Sequence, residues 1–171
     1  MENRCLPPKP HIADDAYKSF TSPKEGTSMT IKQLSIFVEN KPGRLSEITE
    51  ILHKNNIDIR ALSIADTTNF GILRIIVDNP DKAQDVLKDA GFTVSLTNVI
   101  AIGVDDQPGG LSKIMKYLSD KDIGVEYMYA FVSKEDNSAY VIIRVEDNAK
   151  ALEVLQNNHV PILTAAKIYE M

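Results

Sequence analysis

Two short stretches carry residue types suited to holding a small charged molecule: Asn40-Lys41-Pro42-Gly43-Arg44-Leu45 and Asp106-Gln107-Pro108-Gly109-Gly110-Leu111. Each is a Pro-Gly turn running into the start of a helix. The first turn of a helix presents backbone N–H groups without helical partners and the positive end of the dipole. A carboxylate suits such a position. Gly43 and Gly109 have no side chain to block close approach, and Pro42 and Pro108 stiffen the turn, so binding requires less ordering. In the first copy Lys41 and Arg44 add positive charge and Asn40 offers an amide. Asp105 and Asp106 set two acids beside the second copy. That asymmetry makes the first loop the expected main contributor to carboxylate binding, with the second loop structural or holding a ligand in another orientation. An ammonium group needs acceptors, for which Asp58, Glu126 and edge-strand carbonyls are the candidates. One Pro-Gly turn alone is an ordinary helix start; here it comes twice.

The elements that position these loops repeat with them. Ile31–Glu39 alternates Leu34, Ile36 and Val38 against polar neighbours, as a half-buried strand does. After the Pro-Gly break, Leu45, Ile48, Ile51 and Leu52 share one helical face. "NNIDIRALSIA" returns to strand character, "DTTNFG" turns, and "ILRIIVD" is a β-branched strand. Asn79 caps a second helix, Pro80 fits its first turn and Gly91 ends it. "FTVSL" is a fourth strand. The Pro-Gly pair recurs 66 residues on, and seven of the twenty positions from Asn40 to Ile59 are identical in Asp106 to Val125. "ILRIIVDN" and "YVIIRVED" align after a two-residue insertion in the second turn, and "AKALEVLQNNHVPILTAAKIYEM" supplies the last helix and strand. A turn, a helix stripe and a strand order recurring together indicate an internal duplication. Each half reads β-α-β-β-α-β, and the right-handed crossover rule folds it as a ferredoxin-like α+β unit, an antiparallel sheet with helices on one face. A unit of this size is marginal alone, and almost no linker separates the two, so they should pack together. The expected division is a flexible, proline-rich extension over residues 1–30, with Met29 as a possible internal start, a first unit over 31–97 and a second over 98–171.

"NKPGRLSEITEILHKNNIDI" and "DQPGGLSKIMKYLSDKDIGV" within this order resemble tandem ACT domains, over roughly residues 31–171. The resemblance implies a regulatory or sensor protein that binds an amino acid. The ligand would sit at the interface between ACT units, against the Pro-Gly loop and the start of the second strand. Carried onto this chain, those positions are Asn40 to Leu45 with Asn56, Ile57 and Asp58, and Gln107 to Leu111 with Ile123. It implies no catalysis and no cofactor, and a homodimer. An alternative is a small regulatory subunit partnering an amino-acid biosynthetic enzyme such as acetolactate synthase. A small enzyme on the same scaffold, such as an acylphosphatase-like activity, fits least, because neither loop has an arginine-centred phosphate cradle.

The remaining candidates point away from other chemistry. His11, His53 and His159 are widely spaced without cysteines beside them, unlike a metal site. Tyr127, Tyr129 and Phe131 alternate on one strand, a pattern that can stack RNA bases. With 19 Lys and Arg against 24 Asp and Glu, net charge −5, core or interface packing is the better reading. Met128, Ala130 and Val132 make the other face of that strand apolar too, which suggests a subunit contact. No nucleophile elbow or phosphate loop is present. The lone Cys5 fits a reducing, cytoplasmic setting. Neither a membrane-spanning run nor a secretory leader is expected.

Overall fold

The computed structural model describes residues 28–66, 70–131 and 138–171. The N-terminal extension up to residue 27, the centre of the "DTTNFG" turn and Val132 with the second-turn insertion lie outside the described residues. The first unit comprises β1 (Ile31–Glu39), α1 (Arg44–Lys54), β2 (Ile59–Asp66), β3 (Phe70–Val77), α2 (Pro80–Asp89) and the first half of β4 (Val94–Asp105). The second comprises the rest of β4, α3 (Gly110–Ser119), β5 (Val125–Phe131), β6 (Ser138–Val145), α4 (Asn148–Asn157) and β7 (Ile162–Leu163). A short helix α5 (Ala165–Tyr169) follows.

Local chemistry explains the element ends. Asn79 accepts a hydrogen bond from the Lys82 amide at 3.2 Å, and Pro80 sits where its missing N–H costs nothing. Asp147 caps α4 in the same way from the Lys150 amide, at 3.0 Å. Asn56 and Asp122 turn the chain out of α1 and α3 with φ of 52° and 53°. Gly91 and His159 do so after α2 and α4, with φ of 87° and 55°. The repeat is thus preserved in its least comfortable backbone positions.

All strand pairs are antiparallel, in the order β2-β3-β1-β4-β6-β5, with β7 also on β4. "FTVSL" and "NVIAIGV" are not separate strands. They form one unbroken strand, pairing with β1 over Val94–Val99 and with β6 over Ile100–Asp105. The helices cover one face of the sheet, with Leu34, Ile36, Ile48, Leu52, Ile75 and Leu87 in one core and Ile100, Ile102, Ile114, Leu118, Ile143 and Leu155 in the other.

The other face is covered as well, by the opposite unit. The sheet curls until β2 and β5, the ends of the strand order, touch. Ile31, Ala61, Ile76, Val99, Tyr140, Ile142, Leu163 and Ile168 make a third core between the units. Gln33, fully buried on β1, donates to Tyr127 Oη at 2.9 Å and accepts from Tyr129 Oη at 3.0 Å, tying β1 to β5. Burial pushes the Tyr129 hydroxyl well above the usual tyrosine range; neighbouring Tyr127 adds to the shift and Arg74 opposes it.

Two expectations need correction. The last strand is only two residues long, because Thr164 caps α5 by accepting from the Lys167 amide at 3.3 Å and the Ala-Ala that follows favours helix. Ser28 to Thr30, read from sequence as the end of a loose extension, are fastened to the second unit. The Ser28 carbonyl accepts from Ala165 N at 3.1 Å, and Met29 packs on the second core.

Candidate functional site

Both Pro-Gly loops do open helices. Gly43 and Gly109 stand at the N-caps of α1 and α3 in the left-handed region, φ 90° and 93°, and no side chain caps either helix. Glycine is needed because a Cβ is strained there. Past this shared geometry the loops differ.

In the first loop the positive charges are already engaged. Arg44 Nη1 lies 2.6 Å from Glu47 Oε2, and its guanidinium stacks 4.7 Å above the Phe92 ring. Lys41 Nζ lies 3.2 Å from Glu39 Oε1. Asn40 and Leu45 are exposed.

At the second loop a cavity of about 310 Å³ opens, lined by Gln107, Pro108, Gly109, Gly110, Lys113 and Tyr117 and closed by Asn158–Pro161. The repeat explains why it exists. Arg44 of the first unit corresponds to Gly110. Phe92, whose amide bonds the Leu87 carbonyl, corresponds to Val160, whose amide bonds that of Leu155. Arginine over phenylalanine fills the first unit; glycine beside valine leaves the same place open in the second. Gly110 is held to glycine, because a side chain there would run into the Asp105 carbonyl oxygen. Its turn is also tighter, with Gly110 N to Gln107 O at 3.0 Å against 3.4 Å for Arg44 N to Lys41 O. The acid Glu47 has become Lys113, which makes no ion pair among the described residues and lies with its Nζ 6.0 Å from the Tyr117 ring centre. Cavity, cation and free helix start therefore meet at the loop that the charge argument ranked second.

Other expected positions are not brought to the loops. Asn56, Ile57 and Asp58 follow the far end of α1, whose 11 residues span about 16 Å. Ile57 and Ile123 are core residues. Asp58 pairs with Arg60 at 2.7 Å, and its amide donates to Asp78 Oδ1 at 3.0 Å. Glu126 pairs with Arg144 at 3.6 Å. Leu111 is half-buried on the second core. Asp58 and Glu126 are thus both engaged in ion pairs away from the Pro-Gly loop of their own unit, whereas Asp105 lines the cavity. Lys113, Asn158, His159 and Pro161 also line the cavity and were not among the residues expected from sequence. The signal for Lys113 was the sign change from Glu47 at the equivalent helix position. The signal for the cavity was the pair of reductions from Arg44 to Gly110 and from Phe92 to Val160.

This architecture is a duplicated α+β fold with a cavity at the start of one helix. A family model described as an ACT domain pair matches residues 29–171, and the chain belongs to that family. A crystal structure of a protein from Bacteroides thetaiotaomicron is similar, with 46% identity, TM-score 0.80, and coverage of 84% of this chain and 99% of that one. The ligand-free regulatory subunit of aspartate kinase from Thermus thermophilus shares the fold at 15% identity, TM-score 0.56, covering 77% of this chain and 93% of that one. That from Thermus flavus does so at 13% identity, TM-score 0.53, covering 74% and 90%. No curated protein matches the chain significantly. Among the described residues no helix is long and apolar enough to cross a membrane.

Proposed function

We propose that this is a non-enzymatic, amino-acid-binding regulatory protein of the cytoplasm whose principal ligand site is the cavity at the second Pro-Gly loop. The observation that carries the reading is the opening of that cavity where the first unit is filled by Arg44 and Phe92. The start of α3 and Lys113 suit a carboxylate, Asp105 suits an ammonium group, and Ile114, Val160 and Pro161 offer apolar contact to a side chain. Membership of the ACT domain pair family supports a regulatory role.

A thermal-shift screen of the twenty amino acids tests this. A ligand present at a hundredfold excess over its dissociation constant stabilises the protein by about 2.7 kcal/mol. The amide and the N-acetyl form of the responding amino acid should each bind at least about tenfold more weakly, since each loses a charged hydrogen bond. Lys113→Met should weaken the parent comparably and Lys41→Met should not. A screen without any response overturns the reading, and an amide as tight as its parent overturns the helix-start mechanism.

A further inference from the structure

A second cavity, of about 230 Å³, lies between the two units on the helix-free side of the sheet and shares no lining residue with the loop cavity. Its floor follows from strand register. Arg74 on β3 stands opposite Ser35 on β1, and Ser35 stands opposite Ser95 on β4. Cross-strand partners point the same way, so a guanidinium and two hydroxyls form a polar row. Thr97 adds a third hydroxyl two residues along β4. On one side of the row, Phe37 and Ile72 are themselves register partners and form an apolar wall. Across the cleft the second unit contributes Glu126, Tyr127 and Arg144.

Charge in the cleft is unbalanced. Glu126 is engaged with Arg144 at 3.6 Å, and Arg144 Nη1 also donates to the Asn98 carbonyl at 3.2 Å. Arg74 makes no ion pair among the described residues; its guanidinium lies 4.1 Å above the Tyr127 ring, and its Nε is buried without a hydrogen-bond partner. Stacking on an aromatic face holds a guanidinium in place, and the terminal nitrogens of Arg74, which lines the cleft, make no hydrogen bond among the described residues and are left to meet an anion.

We propose that this cleft is a second binding site, for a small organic monocarboxylate bearing an apolar substituent. Arg74 and the hydroxyls of Ser35, Ser95 and Thr97 hold the carboxylate, and Phe37 and Ile72 take the apolar part. The site goes beyond the loop cavity and depends on neither its occupancy nor its ligand. Because its walls come from both units, an occupant stabilises their stacking.

Isobutyrate is the probe, titrated into the full, ¹⁵N-labelled chain while the side-chain Nε–H signal of Arg74 is followed by NMR. The signal should shift saturably, about tenfold tighter for isobutyrate than for formate because of the added apolar carbons. The thermal shift given by isobutyrate should vanish in Arg74→Met, weaken in Thr97→Val and persist in Lys113→Met. An Arg74 signal that stays still at isobutyrate concentrations saturating the thermal response overturns the proposal. So does an equal displacement by chloride or phosphate, or loss of the response in Lys113→Met. The Arg74 signal is read in the unsubstituted protein, so the outcome stands even if Arg74→Met does not fold.

Discussion

At the scale of single residues, the two units differ most where their sequences differ least conspicuously. Gly43 and Gly109 share a backbone conformation, yet the residue after each differs, Arg44 lying over Phe92 and Gly110 lining a cavity. A Cβ on Gly43 meets nothing within contact distance, so Gly43→Ala should cost about 1 kcal/mol from left-handed strain alone and leave ligand affinity unchanged. Gly110→Ala should cost about 1–3 kcal/mol from overpacking against the Asp105 carbonyl and abolish the ligand response. Denaturant melts with and without ligand check both. Val160→Phe recreates the filling seen in the first unit; it should remove the response while leaving the melting temperature near that of the parent. A second residue-scale expectation concerns alkaline pH. The Tyr129 hydroxyl ionises near 10.0 when unfolded and is raised in the fold by burial. Its stabilising effect is therefore fully present below about pH 10 and is lost as pH rises above it. Melting curves between about pH 10 and 12 should show stability falling, with a shallower fall in Tyr129→Phe.

At the scale of elements, the second strand of each unit leaves apolar residues on the helix side that the helices do not reach. Leu62 and Ile64 on β2 oppose Ile75 and Leu73 and are 59% and 47% exposed. Met128 on β5 opposes Ile143 and is 44% exposed. Because β2 and β5 touch, a second copy of the chain is proposed to cover these residues. Leu62→Asp with Met128→Asp should convert a dimer to a monomer by sedimentation without unfolding it, since neither site is buried; a parent already monomeric at micromolar concentration contradicts the assignment. The strands and helices themselves were legible in the sequence. Alternation marked β1, β-branched runs marked β3 and β6, and Asn79-Pro80 and Gly91 marked the ends of α2. The end of the chain was less legible: "PILTAAKIYEM" has too few alternating positions to separate a short strand from a short helix, and the Thr164 cap decides it. The continuity of β4 was hidden because a pair of abutting strands and one long strand share the same pattern.

At the scale of the whole molecule, close packing of the two units was foreseeable from the missing linker, but its form was not. A curled sheet that encloses its own helix-free face requires knowing that β2 meets β5, a contact between residues far apart in sequence. The same limit explains the site. Loops were found by motif, but the cavity is a difference between two packed units, and its filling in one is visible only once Arg44 is seen lying on Phe92. The shared third core predicts a single cooperative unfolding transition, with calorimetric and van't Hoff enthalpies equal. A chain ending at Thr97 should not fold stably, because it exposes Ile31, Ala61 and Ile76 and lacks the rest of β4.

The tie between α5 and β1 bears on how the protein is made. Tyr169 Oη accepts from the Lys32 amide at 3.0 Å across 137 residues of chain, and its carbonyl accepts from Arg60 Nη2 at 3.0 Å. Ile168 completes the third core. A chain emerging from the ribosome thus cannot seal the space between the units until residue 169 has appeared. Until then the apolar face of the first unit is exposed to chaperones and to aggregation. Refolding of Ile168→Ala should show an unfolding rate raised more than its folding rate is lowered, the mark of a contact made last.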